Sequence, residues 1–213
     1  MRTPRRVVAS EVKRSPLAAS SCHKERRLSK SVNVCILADR RLEMGTKQRF
    51  DPKKAVEAII YVAQHNADLY AVLKLLYFAD KEHLARYGRF IFGDQYVALR
   101  HGPVPSGAYD LIQVARGDGW LRCPESVDVA FAIQGNCICP KRPADVRFLS
   151  ESERECLDVA VQQYGRFSFV QLRKLSHKDP AFLASDQNDL ISIEAIAETL
   201  PDSSALQDYL RDV

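Results

Sequence analysis

Apolar positions recur with a helical period through most of the chain after residue 50. Phe50-Asp51-Pro52 opens the first such stretch, with Asp51 reading as an N-cap and Pro52 as the first helical residue. Val56, Ile59, Ile60 and Ala63 form its apolar stripe, and Asn66 ends it. A second helix is predicted from about Asp68 to Tyr87, with Gly88 as its stop. Ile91 to Arg100 reads as a turn at Gly93-Asp94 followed by a short strand. Pro103 and Pro105 are expected to break regular structure. Pro105 can open a helix that carries Tyr109, Leu111, Ile112 and Ala115 and stops at Gly117-Asp118-Gly119. Val127 to Ile133 alternates as a strand should, and Gly135-Asn136 can turn it back into Cys137 to Pro140. Ser150-x-x-Glu153 and Ser168-x-x-Gln171 are capping boxes. The first precedes Leu157, Ala160, Val161 and Tyr164, which Gly165 ends; the second precedes Leu172 and Leu175. Asp179-Pro180 starts a short helical turn, and residues 192–200 and 203–211 are predicted as two closing helices. The pattern gives an α+β fold that is mainly α: a helical core with a small antiparallel β-sheet or hairpin.

The second helix breaks its own pattern. At about 100° per residue, Leu69, Leu73, Leu76, Ala79 and Leu84 share one apolar face. Asp80 and His83 fall inside that face, whereas Lys74 and Lys81 fall outside it. A buried carboxylate must be paired or hydrogen-bonded, or it costs several kcal/mol. Three roles are open to Asp80 and His83. They can be satisfied core groups that fasten the following Gly/Pro segment to the helix. They can belong to a partner-binding surface. With His101 they can form an acid/base or metal-binding cluster, although two ligands at i, i+3 fall short of the three or four that zinc needs. His177 is a further imidazole, and nothing in the linear order brings it to His101. Arg86, Arg89 and Arg100 flank the segment, where they can pair with Asp80, Glu82 or Asp94 or offer forks to a partner's carboxylates. Structural pairing is the favoured expectation.

Charge divides the chain. Residues 1–43 hold 11 Lys+Arg against 4 Asp+Glu, while the remainder holds 20 against 23. The basic character therefore belongs to an Arg/Ser-rich tail without sustained periodicity, read as disordered or as upstream sequence preceding a true start at Met44. Residues 44–213 then read as one domain. A mildly acidic body is a poor match for phosphate neutralisation, so nucleic acid is expected to engage only the tail, if anything. No apolar run approaches 18 residues, so no membrane span is expected. The six cysteines, Cys22, Cys35, Cys123, Cys137, Cys139 and Cys156, do not read as a secreted disulfide framework in a chain of this length. Cys137-x-Cys139 on a strand puts both sulfurs on one face as structural thiols.

Several chemistries lack their motifs. The chain has no Gly-rich phosphate loop, no H-E-x-x-H and no G-x-S-x-G. No cofactor, metal or catalytic set is therefore assigned. A hydrolase or metal-dependent enzyme using Asp80, His83 and His101 stays open as the reading from a different class.

The same segment carries a family resemblance. Lys74 to Asp80 reads KLLYFAD, followed by His83, Tyr87-Gly88-Arg89, Ile91-Phe92-Gly93, His101-Gly102-Pro103-Val104-Pro105 and Tyr109-Asp110. A second block follows: Leu149-Ser150-Glu151, Tyr164-Gly165, Leu175-Ser176-His177 and Pro180-Ala181. These blocks, over about residues 50–185, resemble the Panacea domain, the SocA-like antitoxin family, also known as phage-associated. Phe90 departs from the pattern, where Pro is frequent, and so does Phe182, where Trp commonly follows. The resemblance implies a cytoplasmic antitoxin that neutralises a cognate protein toxin, encoded by an adjacent gene, through direct contact. SocA-like members also imply an alternative, a proteolytic adaptor that hands a toxin to a Clp-type protease. The motif residues Tyr77, Asp80, His83, Tyr87, Gly88, Arg89, Gly93, His101, Gly102, Pro103, Tyr109 and His177 are the candidate partner-binding set.

Overall fold

A computed structural model describes residues 48–117 and 130–212. The chain divides into two units, Met1–Val32 and Asn33–Val213, and every described residue lies in the second. The basic tail, Met44, Cys22, Cys35, Cys123 and residues 127–129 of the predicted strand lie outside the described residues.

In chain order the elements are α1 (Pro52–Ala63), α2 (Leu69–Tyr87), β1 (Tyr96–Leu99), β2 (Gly102–Pro105), α3 (Ser106–Arg116), β3 (Phe131–Gln134) and β4 (Cys137–Pro140). A 3-10 turn (Val146–Phe148) leads to α4 (Glu151–Tyr164), α5 (Phe169–Ser176), α6 (Pro180–Leu183), β5 (Leu190–Ile191), α7 (Ile193–Glu198) and α8 (Ser203–Asp212). The fold is mainly helical, with two small antiparallel sheets. Its caps are those legible in the sequence. Asp51 accepts from the Lys53 and Lys54 amides, Asp68 from that of Ala71, and both capping boxes form. Gly88 ends α2 in the left-handed region at φ 69°, with its amide donating to the Leu84 carbonyl.

Helix α2 is the hub of the fold. It packs on α1, α4, α5, α7 and β2. From Leu69 to Tyr77 all but Tyr70 are buried. A helix covered on every side has no solvent face, and here the one-face expectation fails. Lys74, placed outside the apolar face by its angle, is only 1% exposed because β2 lies across that side. Asp80 and His83 are both 0% exposed, as their place on the apolar face requires.

The second correction concerns the prolines. Pro103 and Pro105 do not break structure but sit in β2, an edge strand of a sheet ordered β2-β1-β5. Tyr96 pairs with Pro105 and Ala98 with Pro103. The Ser106 amide donates to the Gln95 carbonyl, so the period of two directs the positions of both prolines away from β1. Neither missing N–H removes a ladder bond, which is how an edge strand tolerates proline. Helix α3 starts one residue later than Pro105, and its cap comes from afar. Asp94 accepts from the Gly107 amide at 2.8 Å and the Ala108 amide at 2.7 Å. Strand β5, absent from the sequence reading, closes the sheet against Tyr96 and Val97.

The predicted hairpin forms between β3 and β4, with Phe131 opposite Pro140 and Gln134 opposite Cys137. Ile138 turns inward between half-buried Cys137 and Cys139. A large core joins α1 to α4 with the hairpin. A smaller one gathers Tyr77, Leu84, Phe90, Tyr96 and Ile191 under Ile193 and Ile196 of α7. No helix among the described residues is long and apolar enough to cross a membrane.

Candidate functional site

Two polar clusters are built on α2, about 9 Å apart along its axis, from the six residues that separate Lys74 and Asp80. The first lies toward the C-terminal end. Asp80 accepts from the Ile91 amide at 2.7 Å and from the Tyr96 hydroxyl at 2.6 Å. His83 Nδ1 lies 2.8 Å from the Arg89 carbonyl, and Nε2 3.4 Å from the Ser152 hydroxyl. Both side chains therefore fasten the segment after Gly88 to the helix. Burial pushes the Asp80 carboxyl up to about 7, against the opposing pull of the Tyr96 and Ile91 hydrogen bonds. Burial also lowers the His83 pKa, while its bond to the Arg89 carbonyl works the other way.

Glu153 completes this cluster. Its side chain is fully buried and accepts from Lys54 Nζ at 2.8 Å, Arg89 Nη1 at 2.9 Å and the Ser150 amide at 2.8 Å. Burial opposes its ionisation, but the Lys54, Ser150 and Arg89 bonds prevail and hold it below the usual carboxylate range. Arg89 thus pairs with the capping-box glutamate of α4 and not with Asp80 or Asp94. Arg86 pairs with Glu82, as expected for structural pairing. Tyr87 is 43% exposed and stacks on His83 with ring centroids 4.7 Å apart. Tyr77 is buried edge-on to Tyr96, with its hydroxyl facing the Asp179 carboxylate. Burial and that carboxylate raise the hydroxyl's pKa far above its ordinary value. Gly93, at φ 67°, lies where a Cβ would meet the Arg49 carbonyl at 2.7 Å. Tyr109 is half-buried and accepts from Gln113 Nε2 at 2.9 Å.

The second cluster surrounds Gly102. Lys74 Nζ donates to the Pro103 carbonyl. A Cβ on Gly102 would meet Ser176 Oγ at 2.5 Å, Lys74 Nζ at 3.1 Å and His177 Cδ2 at 3.4 Å. Gly102 is at φ 99°, so both space and backbone require glycine. The lysine of KLLYFAD, the HGP turn and the Ser-His of the second block therefore meet at one point. Burial, aided by Arg173, pushes the Lys74 pKa down to about 7. Burial and the same cations lower the pKa of both His101 and His177. His101 also packs edge-on to Phe169, and His177 against Phe182 at 4.8 Å.

This geometry separates the proposed acid/base set. His101 belongs to the Gly102 cluster, whereas Asp80 and His83 are occupied about two turns further along the helix. Among the described residues, no group of three His, Cys, Asp or Glu side chains could hold a metal ion.

The residues that join the two sequence blocks decide the family. A family model for the antitoxin SocA-like, Panacea domain matches residues 72–181, about half of the chain. The chain belongs to this family. The matched span begins just before Lys74 and ends after His177, so it contains both Panacea clusters apart from Lys54. No curated protein and no solved structure matches the chain.

Sequence reasoning missed the roles of Lys74, Glu153, Asp94 and Arg173. Lys74 carried one signal, its position as the first letter of the motif. Glu153 was visible only as the last letter of a capping box.

Proposed function

We propose that this protein is an antitoxin that neutralises a cognate protein toxin, encoded by an adjacent gene, by direct contact. Membership of the SocA-like Panacea family carries this reading. The site chemistry agrees with it. Asp80, His83 and Glu153 are fully occupied in holding α2, α4 and the Gly88–Tyr96 segment together, so the most polar part of the motif serves architecture. Neutralisation would be steric, through an interface of ordinary size, about 1,600 Å² in total. Residues 44–213 are proposed to act as one domain in this role.

The test is co-expression with the product of the adjacent gene, read by growth and by affinity pull-down. A neighbour that is toxic alone, is neutralised by this protein and co-purifies with it is the expected outcome. Restored growth with disappearance of the neighbour's product would replace neutralisation by delivery to a Clp-type protease. A harmless neighbour that fails to co-purify sinks the reading.

A further inference from the structure

The Gly102 cluster brings the basic side chains of Lys74, Arg173, His101 and His177 together. Lys74 is buried, donates to the Pro103 carbonyl and makes no ion pair among the described residues. Arg173 and Lys74 are charged neighbours of His177. Several other cations have an acidic partner: Lys54 and Arg89 share Glu153, Lys81 takes Asp179, and Arg142 takes Glu57. Among the described residues Arg173 and Lys174 make no ion pair. Both lie in the last turn of α5, where the helix dipole favours cations. That accounts for their place in α5 and leaves both without a carboxylate of their own among the described residues.

The cluster opens outward along one stripe. Val170, Arg173, Lys174 and His177 recur at i, i+3, i+4 and i+7, so they share one face of α5. Val170 is 58% exposed. Leu183, at 68%, is the most exposed of the large apolar residues among the described residues and follows Phe182, whose ring packs on His177. The face therefore combines a guanidinium fork and an ammonium with aliphatic side chains on its border. An acidic stretch of protein carrying an apolar side chain fits both features, through charge-assisted bonds to Arg173 and packing on Val170 or Leu183. Nucleic acid fits less well. It needs many accessible cations, and here one of the lysines is buried and residues 44–213 are mildly acidic.

Resting on the antitoxin reading, we propose that this basic face of α5, with the His101-Gly102 turn beside it, receives an acidic, apolar-bearing segment of the toxin.

The experiment uses the full chain and the adjacent gene's product, with affinity measured by calorimetry. Three variants are compared: Arg173→Glu/Lys174→Glu, the milder Arg173→Gln/Lys174→Gln, and Arg211→Glu on α8 as a control. Thermal melts establish that each is folded, and the Gln pair serves if the Glu pair is not. The expected result is a loss of tenfold or more for the Glu pair, a smaller loss for the Gln pair, and no change for the control. Wild-type affinity should also fall as salt rises, more steeply than that of either pair. Equal affinity for wild type and both pairs overturns this surface while leaving the antitoxin reading intact. No binding by the wild-type chain overturns both. Loss of duplex DNA retention with unchanged toxin affinity also overturns it, and assigns the face to nucleic acid.

Discussion

The Tyr96 hydroxyl donates to the Asp80 carboxylate at 2.6 Å, joining the centre of α2 to β1 through a pair that no water reaches. The same carboxylate accepts the Ile91 amide. One side chain therefore fixes both the strand and the segment leading into it. This is why a carboxylate interrupts an otherwise apolar helix face.

Replacing Asp80 by Ala strands a hydroxyl and an amide in the core. Each unsatisfied group costs about 1–3 kcal/mol, so a loss of about 2–5 kcal/mol is expected in urea denaturation. Asp80→Asn keeps one acceptor and should cost less. The pH dependence gives a sharper test. The folded-state pKa is raised to about 7 from an unfolded value near 4. Between these values the folded state binds the extra proton, so the Asp80 contribution to stability falls as pH rises, by at most about 4 kcal/mol. Asp80→Asn should flatten that decline. An unchanged slope would remove Asp80 as its source.

Glu153 predicts the opposite sign. Its pKa is held below the ordinary value, so its stabilisation is present above the unfolded pKa and is lost as pH falls through the folded one. Glu153→Ala should cost about 2–4 kcal/mol. The cost stays moderate because Arg89 and Lys54 are partly exposed and can be rehydrated. Glu153→Gln should weaken the acid sensitivity seen below about pH 4.5. Acid titration of wild type and variant by circular dichroism measures this difference.

At Gly102 the expected effect is steric. Gly102→Ala adds a Cβ at φ 99° and drives it to 2.5 Å from Ser176 Oγ. A loss of about 1–3 kcal/mol is expected. Adding Ser176→Gly should recover the contact part of that loss but not the backbone part. Chemical denaturation of the single and double variants separates the two. Full recovery in the double variant would show that the backbone carries no strain.

Most of the fold was legible because its signals are local. Asp51-Pro52, Asp68, the two capping boxes and Gly88 each fix a helix end through residues within four positions. The inward turn of Asp80 and His83 followed from angle alone. What stayed hidden depends on contacts across the chain. Asp94 caps a helix 12 residues downstream, and β5 gains its pairing only from β1. Lys74 was placed on an outer face because a helical wheel does not record that β2 would cover it. The candidate site was half legible for the same reason. Its letters were readable in both blocks, but the meeting of Lys74, Gly102 and His177 belongs to the tertiary fold.

Lys74 gives the last prediction. Burial beside Arg173 lowers its pKa to about 7, whereas the unfolded chain titrates near 10.5. Between these values the unfolded state binds more protons, so stability should rise with pH from neutrality toward pH 10. Lys74→Met fills a similar volume without the charge and should abolish that rise. At neutral pH the change should be below about 2 kcal/mol. Loss of the bond to the Pro103 carbonyl and relief from burying the amine act in opposite directions. Subtracting the variant's stability from that of wild type at each pH removes the titration of the exposed lysines and tyrosines. A difference that stays flat from pH 7 to 10 would show that the Lys74 amine titrates normally, and that its charge is balanced by something other than the arrangement around Gly102.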